Sequence, residues 1–297
     1  MRVLVVGGSG LVGSHILAEA ERRGHHVVGT YRSFVLPGLR RLDLDDEAAT
    51  AAVLQEIRPD WVVHAAGWTW VDGCETDPAR AMRENAAQPA RLAELCGEIG
   101  ARFVYFSTTY VFDGTAGPYR ETDSPSPINV YSRSKLAGER GVLEATRGSA
   151  LVPRIICVWG REAQQKNFAY QVMRAVGAGQ TLKIPSDQEG NPTWAGDIAA
   201  WTLDLLEAGE CGIWHLAGEG ARMTREGWLC AILRGLEADA DLATRISRWR
   251  YEAVPTSVLA QPAPRPLRVG AVTERIQSQF PRVARLPDDL SVLRQAR

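Results

Sequence analysis

A hydroxyl, a phenol and an amine stand in this chain at spacings that suit proton transfer. The segment STTYVFDG (107–114) puts Thr108 at the end of an apolar run, and YSRSK (131–135) sets Tyr131 and Lys135 four residues apart. On a helix that spacing brings both side chains to one face. An ammonium beside a phenol favours the phenolate. Lys135 is therefore expected to draw the Tyr131 pKa down from about 10 and make it a general acid for a carbonyl oxygen that is accepting hydride. Thr108, at the carboxyl end of a strand, can hydrogen-bond the same carbonyl and fix its orientation. The Tyr-Lys pair alone is a weak signal, because helix surfaces produce it by chance. Its weight comes from a glycine turn upstream and from the STT strand end between them.

That turn is GGSGLVG (7–13), which follows the apolar run Val3 to Val6 and opens a helical pattern. Gly7 permits a tight turn, Gly10 lets backbone approach a pyrophosphate, and Gly13 lets helix and strand pack closely, with the helix N-terminus facing the anion. Ser9, Leu11 and Val12 lie in the same turn and count with it as cofactor-binding. Glycines that merely make a tight connection are the plain alternative. Where an acid would hold a ribose 2′-hydroxyl, the chain reads GTYRS, with Tyr31, Arg32 and Ser33 and no carboxylate. A guanidinium there suits a 2′-phosphate, which points to NADPH with NADH as the second possibility; a solvated loop arginine is the plain reading. In LDLDD, Asp43 beside Leu44 either accepts from an adenine amino group or caps the helix that starts near Asp46. HAAG supplies Ala65, Ala66 and Gly67, small enough for backbone to pass close to a cofactor, whereas His64 reads as a core histidine.

The elements that must position these residues alternate between strand and helix. Apolar, β-branched runs read as buried strands at Val3 to Val6, His26 to Thr30, Trp61 to His64, Arg102 to Ser107 and Ala150 to Ile156. Helical patterns fall at Leu11 to Arg23, Glu47 to Ile57, Ala79 to Ile99 and Tyr131 to Glu144. This repeated βαβ order predicts an α/β, doubly wound parallel sheet of the Rossmann type, whose ligands sit outside the strands' carboxyl ends. Beyond Trp159 the pattern loosens, with a helix at Asn167 to Val176, another from Gly196 and a short strand at Ile213 to Leu216. A smaller C-terminal substrate-binding lobe is expected there. The expected division is 1–157 with 196–218 for the dinucleotide-binding domain and 158–195 with 219–297 for the lobe. The tail from Gln261, QPAPRPLRVG, is expected to lie across the surface.

The 297 residues are 45% hydrophobic and 23% charged with a formal net charge of -1, which fits a folded globular chain and leaves no basic excess for a nucleic-acid backbone. Cys74, Cys96, Cys157, Cys211 and Cys230 form an odd set without metal-type spacing. That argues against a disulfide framework and a zinc site, and for a cytoplasmic location. No stretch approaches the roughly eighteen apolar residues of a membrane span, and MRVLVVGGSG is too short for a signal-peptide core. The expected partner is a small molecule, with a homodimer possible.

With these motifs in place, the sequence resembles the extended short-chain dehydrogenase/reductase family, and within it the dTDP-4-dehydrorhamnose reductases. The resemblance runs through most of the chain: GGSGLVG, HAAGWTWVDGCETDP, Asn85 in RENA, STTYVFDGTAGPYRETDSPSPINVYSRSKLAGE, Asn167 with Phe168, DQEGNPTWAGDIA, GIWHLAG, and Arg265 with Pro266. It implies reduction of the 4-keto group of a nucleotide-linked 4-keto-6-deoxyhexose. Hydride would come from NADPH or NADH and a proton from Tyr131, with Thr108 as hydroxyl partner and Lys135 holding the ribose and tuning the tyrosine. Thr109 stands where relatives carry an aspartate, and Cys157 where they carry a tryptophan, with Trp159 two places on. Those positions face substrate in the family, so the ligand is a different deoxysugar or another carbonyl compound, reduced or epimerised, if the changes matter. Tyr110 and Asn167 belong to the same expected substrate set. A second resemblance, to the regulatory subunit of methionine adenosyltransferase through YVFDG and PYRE, would make the dinucleotide structural and another protein the main partner.

Other residues carry two readings. Trp68 and Trp70 either wall the nicotinamide pocket or pack as a lid. Asp72 and Glu75 read as a solvated loop. Gln188, Asn191 and Thr193 either position a sugar or make a turn around Gly190 and Pro192. Cys157 reads as a small buried apolar residue rather than a nucleophile.

Overall fold

A computed structural model of the chain describes residues 1–218, 220, 222–283, 285, 286 and 290. The part of the expected lobe at 219, 221, 284, 287–289 and 291–297 lies outside them. The first half runs β1 (Arg2–Val6), α1 (Leu11–Arg22), β2 (His26–Tyr31), β3 (Arg40–Arg41), α2 (Glu47–Ile57), β4 (Trp61–His64), α3 (Val71–Thr76) and α4 (Pro78–Met82). A π-helical turn, Arg83–Ala87, then leads into α5 (Gln88–Glu98), followed by β5 (Arg102–Tyr105), β6 (Ser107–Thr108), α6 (Val130–Ala145) and β7 (Leu151–Ile155). The second half runs β8 (Val158–Trp159), α7 (Phe168–Ala178), β9 (Leu182–Pro185), β10 (Glu189–Gly190), β11 (Thr193–Trp194), α8 (Ala195–Glu207) and β12 (Gly212–His215). It ends with β13 (Met223–Thr224), α9 (Arg225–Leu236), α10 (Ala240–Arg248), β14 (Tyr251–Val254) and α11 (Glu274–Gln279).

The main sheet is parallel, in the order β12-β7-β5-β4-β1-β2-β3, with β6 paired to β7. β1 shows why its run is apolar throughout. Val3 and Val5 join the layer of α1, α8 and α11, whereas Leu4 and Val6 join the layer of α2, α5 and α6. Both faces are covered, so alternation disappears from the sequence. β1 has β2 on one side and β4 on the other, which makes the carboxyl ends of β1 and β4 the switch point where a ligand crevice opens. The doubly wound α/β sheet expected from the alternation is the architecture found.

The single helix expected at Ala79 to Ile99 is broken into α4, the π turn and α5. Glu84 and Asn85, both buried, lie in this turn. A separate core joins Trp159, α7, α9, Ile184 of β9 and Trp249. α11 sends Ile276 back to the sheet's core, and the Trp201 indole donates to the Phe280 carbonyl at 2.9 Å.

The tail does not lie across the surface. Ala263, Val269 and Ala271 are buried. Val269 donates to Glu189, Tyr119 donates to Gly270, and Ala271 donates to the Asn191 side chain. Prolines forbid a regular ladder here, yet single backbone bonds to several neighbours stitch the segment into the core. No helix among the described residues is long and apolar enough to cross a membrane.

Candidate active site

The carboxyl ends of β4, β5 and β6 face the first turns of α6. Thr108 closes β6, and its hydroxyl accepts from the Tyr110 amide (3.2 Å), which turns the chain away from the sheet. α6 begins at a closed capping box: Asn129 Oδ1 accepts from the Ser132 amide (2.8 Å) and Ser132 Oγ from the Asn129 amide (3.3 Å). Glu75 adds a third contact, accepting from the Val130 amide at 2.7 Å. With its start fixed in this way, α6 brings the Tyr131 phenol close to the Thr108 hydroxyl, which favours its ionised form. Lys135, one turn on, holds its Nζ 4.1 Å from the centre of the Tyr105 ring, and a side chain built on Gly67 would meet that Nζ at 4.0 Å. All three candidate catalytic side chains are buried.

The electrostatics correct one expectation. Burial pushes the Tyr131 phenol above its ordinary value, and the Thr108 hydroxyl beside it pulls it part of the way back; Lys135 is not among the groups that move it. A shared helix face brings the two residues close, but the ammonium is drawn over the Tyr105 ring instead of onto the phenol oxygen. Lys135 itself is pushed down to about 7 by burial, against the pull of Glu139 one turn further on.

Asn85, in the π turn, ties this edge together. Its Oδ1 accepts from the Trp68 amide (2.8 Å), and its Nδ2 donates to the Trp68 carbonyl (3.0 Å) and to Ser134 Oγ (3.0 Å). The loop after β4 is thereby fastened to the helix that carries Tyr131 and Lys135.

Beside Lys135 a cleft of about 790 Å³ opens at the switch point. Its walls include the turn residues Gly7, Ser9 and Gly10, the end of β2 at Tyr31, Arg32 and Ser33, then Leu44, and the HAAG residues Ala65, Ala66 and Gly67. Leu11 and Val12 open α1 behind the turn, and Gly13 packs so closely that any side chain there would strike the Gly7 carbonyl. Asp43 neither lines the cleft nor caps α2. It accepts from the Asp45 amide (3.2 Å), while Asp46 accepts from Ala49 (2.9 Å) and makes the cap. Arg32 follows β2 at the cleft's edge, exposed yet ion-paired, its NH1 3.0 Å from Glu84 Oε1. Sequence reading passed over Glu84, Thr30, Phe34, Gln88 and Gln164 as lining residues. Gln164 crosses from beyond β8 to donate to the Ser9 carbonyl (3.3 Å), a contact between distant segments that no local pattern announces.

This cradle fits a dinucleotide. Gly7 has φ +87°, and a Cβ there would lie 2.7 Å from the Ala66 amide nitrogen, so the turn stays open only to backbone. His64 is buried on the cleft floor, neutral because burial pulls its pKa down to about 3, and neither ring nitrogen has a partner among the described residues.

The model of the RmlD substrate binding domain family matches residues 1–286. The chain is 34% identical over 307 residues to the probable low-salt glycan biosynthesis reductase of Haloferax volcanii, covering 100% of this chain and 98% of that protein. It is 35% identical over 271 residues to the dTDP-4-dehydrorhamnose reductase of Mycobacterium tuberculosis, covering 89% and 82%. The crystal structure of dTDP-4-dehydrorhamnose reductase from Bacillus anthracis in complex with NADP matches with a TM-score of 0.84 at 24% identity, over 97% of this chain and 96% of that one. The chain belongs to the RmlD family.

In this member, a second cleft of about 320 Å³ lies on the lobe side of the Thr108 turn. Three of the expected substrate residues, Tyr110, Cys157 and Gln188, line it together with Arg225, Trp228 and Thr224, which the sequence did not single out. The Arg225 guanidinium lies 4.8 Å from the Phe168 ring centre and 4.9 Å from that of Trp228, and no carboxylate among the described residues pairs with it. Its neighbours differ: Arg222 is paired with Glu189 (2.7 Å) and Arg265 with Asp72 (2.8 Å).

Six expected substrate residues line neither cleft: Thr108 and Trp68, which stand by Tyr131, and Thr109, Trp159, Asn167 and Thr193. Thr109 is fully buried with an unpartnered hydroxyl. Trp159 sits in the lobe's core. Asn167 spends its amide on the Gly160 carbonyl (2.8 Å) and Glu162 (3.0 Å) at the start of α7. Thr193 donates to the Asn191 carbonyl (2.9 Å) and accepts from the Gly218 amide (3.3 Å). Trp68 packs beside Tyr131, whereas Trp70 is 65% exposed. Asp72 and Glu75 are not a solvated loop, since one binds the tail through Arg265 and Ala263 and the other caps α6. Cys157 has φ +49° and a thiol pushed up by burial, an inert wall residue.

Proposed function

We propose that the chain is an NADPH-dependent reductase of the 4-keto group of a nucleotide-linked 4-keto-6-deoxyhexose, of the dTDP-4-dehydrorhamnose reductase type, with Tyr131 as proton donor. The observation that carries this reading is that buried Tyr131 and Lys135 stand one turn apart on α6, Lys135 beside Gly67 of the dinucleotide cleft and the Tyr131 ring 6.2 Å from that of Tyr110, which lines the second cleft with Arg225. A bound nicotinamide dinucleotide would supply the hydride. The Gly7–Gly10 turn and the start of α1 would hold its pyrophosphate, Arg32 and Ser33 its adenosine end, and Lys135 its ribose hydroxyls.

Thr108 donates to the substrate carbonyl and fixes it, and Tyr131 gives that oxygen its proton as negative charge develops there. A phenol raised by burial suits this role: at neutral pH it keeps its proton until a stronger base, the nascent alkoxide, takes it. Lys135, drawn to about 7, changes protonation within the working range and makes the reaction pH-sensitive. Arg225 meets the diphosphate of the nucleotide sugar, with Tyr110 and Trp228 as flanking apolar surface.

The deciding assay is NADPH oxidation with a panel of dTDP-4-keto-6-deoxyhexoses. Absence of oxidation across the panel, with the dinucleotide bound, rejects the substrate class. A second reading, a reductase or epimerase of another carbonyl compound, draws on Thr109 and Cys157 standing where relatives differ, and product stereochemistry separates the two. Thr108, Tyr131 and Lys135 together favour chemistry over a purely regulatory role, which a co-purifying protein with undetectable hydride transfer would restore.

A further inference from the structure

Glu84 is the one carboxylate among the described residues that lines the dinucleotide cleft. It is 5% exposed and sits in the π turn. Its Oε1 lies 3.0 Å from Arg32 NH1, its Oε2 accepts from Arg32 NH2 at 3.2 Å, and Arg80 Nε donates to Oε1 at 2.8 Å. Arg80 is anchored in turn, its guanidinium 4.2 Å from the centre of the Trp68 ring. Burial acts to raise the Glu84 carboxyl, and the hydrogen bonds from Arg32 and Arg80 outweigh it, leaving the group ionised. Asp43 and Asp45 also bear on Arg32, so the guanidinium at the end of β2 faces acids on two sides.

This arrangement sets two ligands against each other. A ribose 2′-phosphate is close to a dianion and needs the N–H fork of Arg32, two of whose donors are already turned to Glu84. It would also meet the carboxylate as a like charge. A 2′-hydroxyl has no such conflict and can donate to Glu84. We infer that Glu84 is a specificity-determining residue that competes with the 2′-phosphate for Arg32 and so lets the chain use NADH alongside NADPH. The inference rests on the dinucleotide reading above and names the residue that sets the balance within it.

The test is calorimetric binding of 2′,5′-ADP and of 5′-ADP to the wild type and to Glu84→Gln, with NADPH and NADH steady-state kinetics alongside. Glu84→Gln should tighten 2′,5′-ADP about tenfold, a change on the scale of one partly exposed ion pair, while 5′-ADP changes little or weakens. The NADPH:NADH ratio of kcat/KM should rise by a similar factor through KM. An unchanged ratio, or weaker 2′,5′-ADP binding, overturns the competition. The gain should also shrink when Glu84→Gln is made in an Arg32→Met background; a gain that persists there shows that Arg32 is not the route. Arg32→Met alone covers the case of a Glu84→Gln chain that does not fold: it should bring the two ADP affinities together, and a preference that survives it overturns the inference. If the wild type binds neither fragment, the dinucleotide reading itself has failed, a result distinct from an unmoved ratio.

Discussion

The two clefts are built from different materials. The dinucleotide cleft is mostly backbone: a glycine turn, the end of β2 and the HAAG loop, contributed in chain order by the carboxyl ends of neighbouring parallel strands. The lobe cleft is mostly side chain, drawn from Tyr110, Cys157, Gln188, Arg225 and Trp228 on segments that meet only because β10 pairs with β13 and the tail is stitched across them. A backbone-built site must keep certain residue types at certain spacings, because turn geometry allows nothing else. A side-chain-built site can exchange residues one at a time, which is how one family comes to serve different substrates.

The sharpest test of the junction between them is Tyr131→Phe. Its phenol is the proposed proton source, so kcat should fall by about 10² to 10⁴ while 2′,5′-ADP binding stays as in the wild type. Retained turnover would mean that the proton comes from elsewhere and that the junction is only packing. A smaller effect is expected at Arg225, which belongs to the lobe cleft alone. Arg225→Met should raise KM for the nucleotide sugar about 10- to 100-fold, the cost of a charged hydrogen bond, with kcat and dinucleotide affinity little changed. Loss of dinucleotide affinity instead would show that the clefts do not act separately.

The same contrast explains what the sequence let one read. β1, the phosphate turn and the Tyr131-Lys135 spacing were legible because burial on both faces, positive φ and helical repeat each leave a local pattern. Arg225 and Glu84 were not, since their roles depend on partners in other elements: Trp228 and Phe168 for one, Arg32 across the cleft for the other. Trp159 shows the opposite failure. Family likeness put it toward substrate, but the surrounding helices bury it in the lobe's core. The tail was misread because proline content forecasts irregular backbone and says nothing of depth. The Tyr131 shift escaped for a related reason, as spacing places Lys135 nearby without fixing where its ammonium points.

Acid should separate the two regions. All five histidines, His15, His25, His26, His64 and His215, precede residue 158 or lie in 196–218, so the segments expected to form the lobe carry none. His64 and His215 are buried, and burial pulls them to about 3 and about 4. Unfolding frees both to take up a proton below about 6.5, while the folded chain refuses it until much lower pH. Their contribution to stability is thus complete above about pH 6.5 and is lost as pH falls toward the folded values. Urea unfolding at pH 7.5, 6 and 5 should show a decline on the order of 1 kcal/mol per pH unit for each histidine, and His215→Asn should flatten it. An unchanged slope in the variant would remove His215 from the account.

The smallest effect should come from Thr109, and it bears on where the sheet ends and the lobe cleft begins. Its neighbours on either side, Thr108 and Tyr110, face the proposed chemistry and the lobe cleft, yet Thr109 itself is fully buried and its hydroxyl has no partner. Valine has nearly the same shape and removes the unsatisfied group. Thr109→Val should therefore leave stability within about 1 kcal/mol of the wild type or raise it, and leave KM for the sugar unchanged. A valine that shifted KM several-fold with stability intact would mean that the hydroxyl reaches substrate, and that the lobe cleft extends one residue further toward the sheet than its lining indicates.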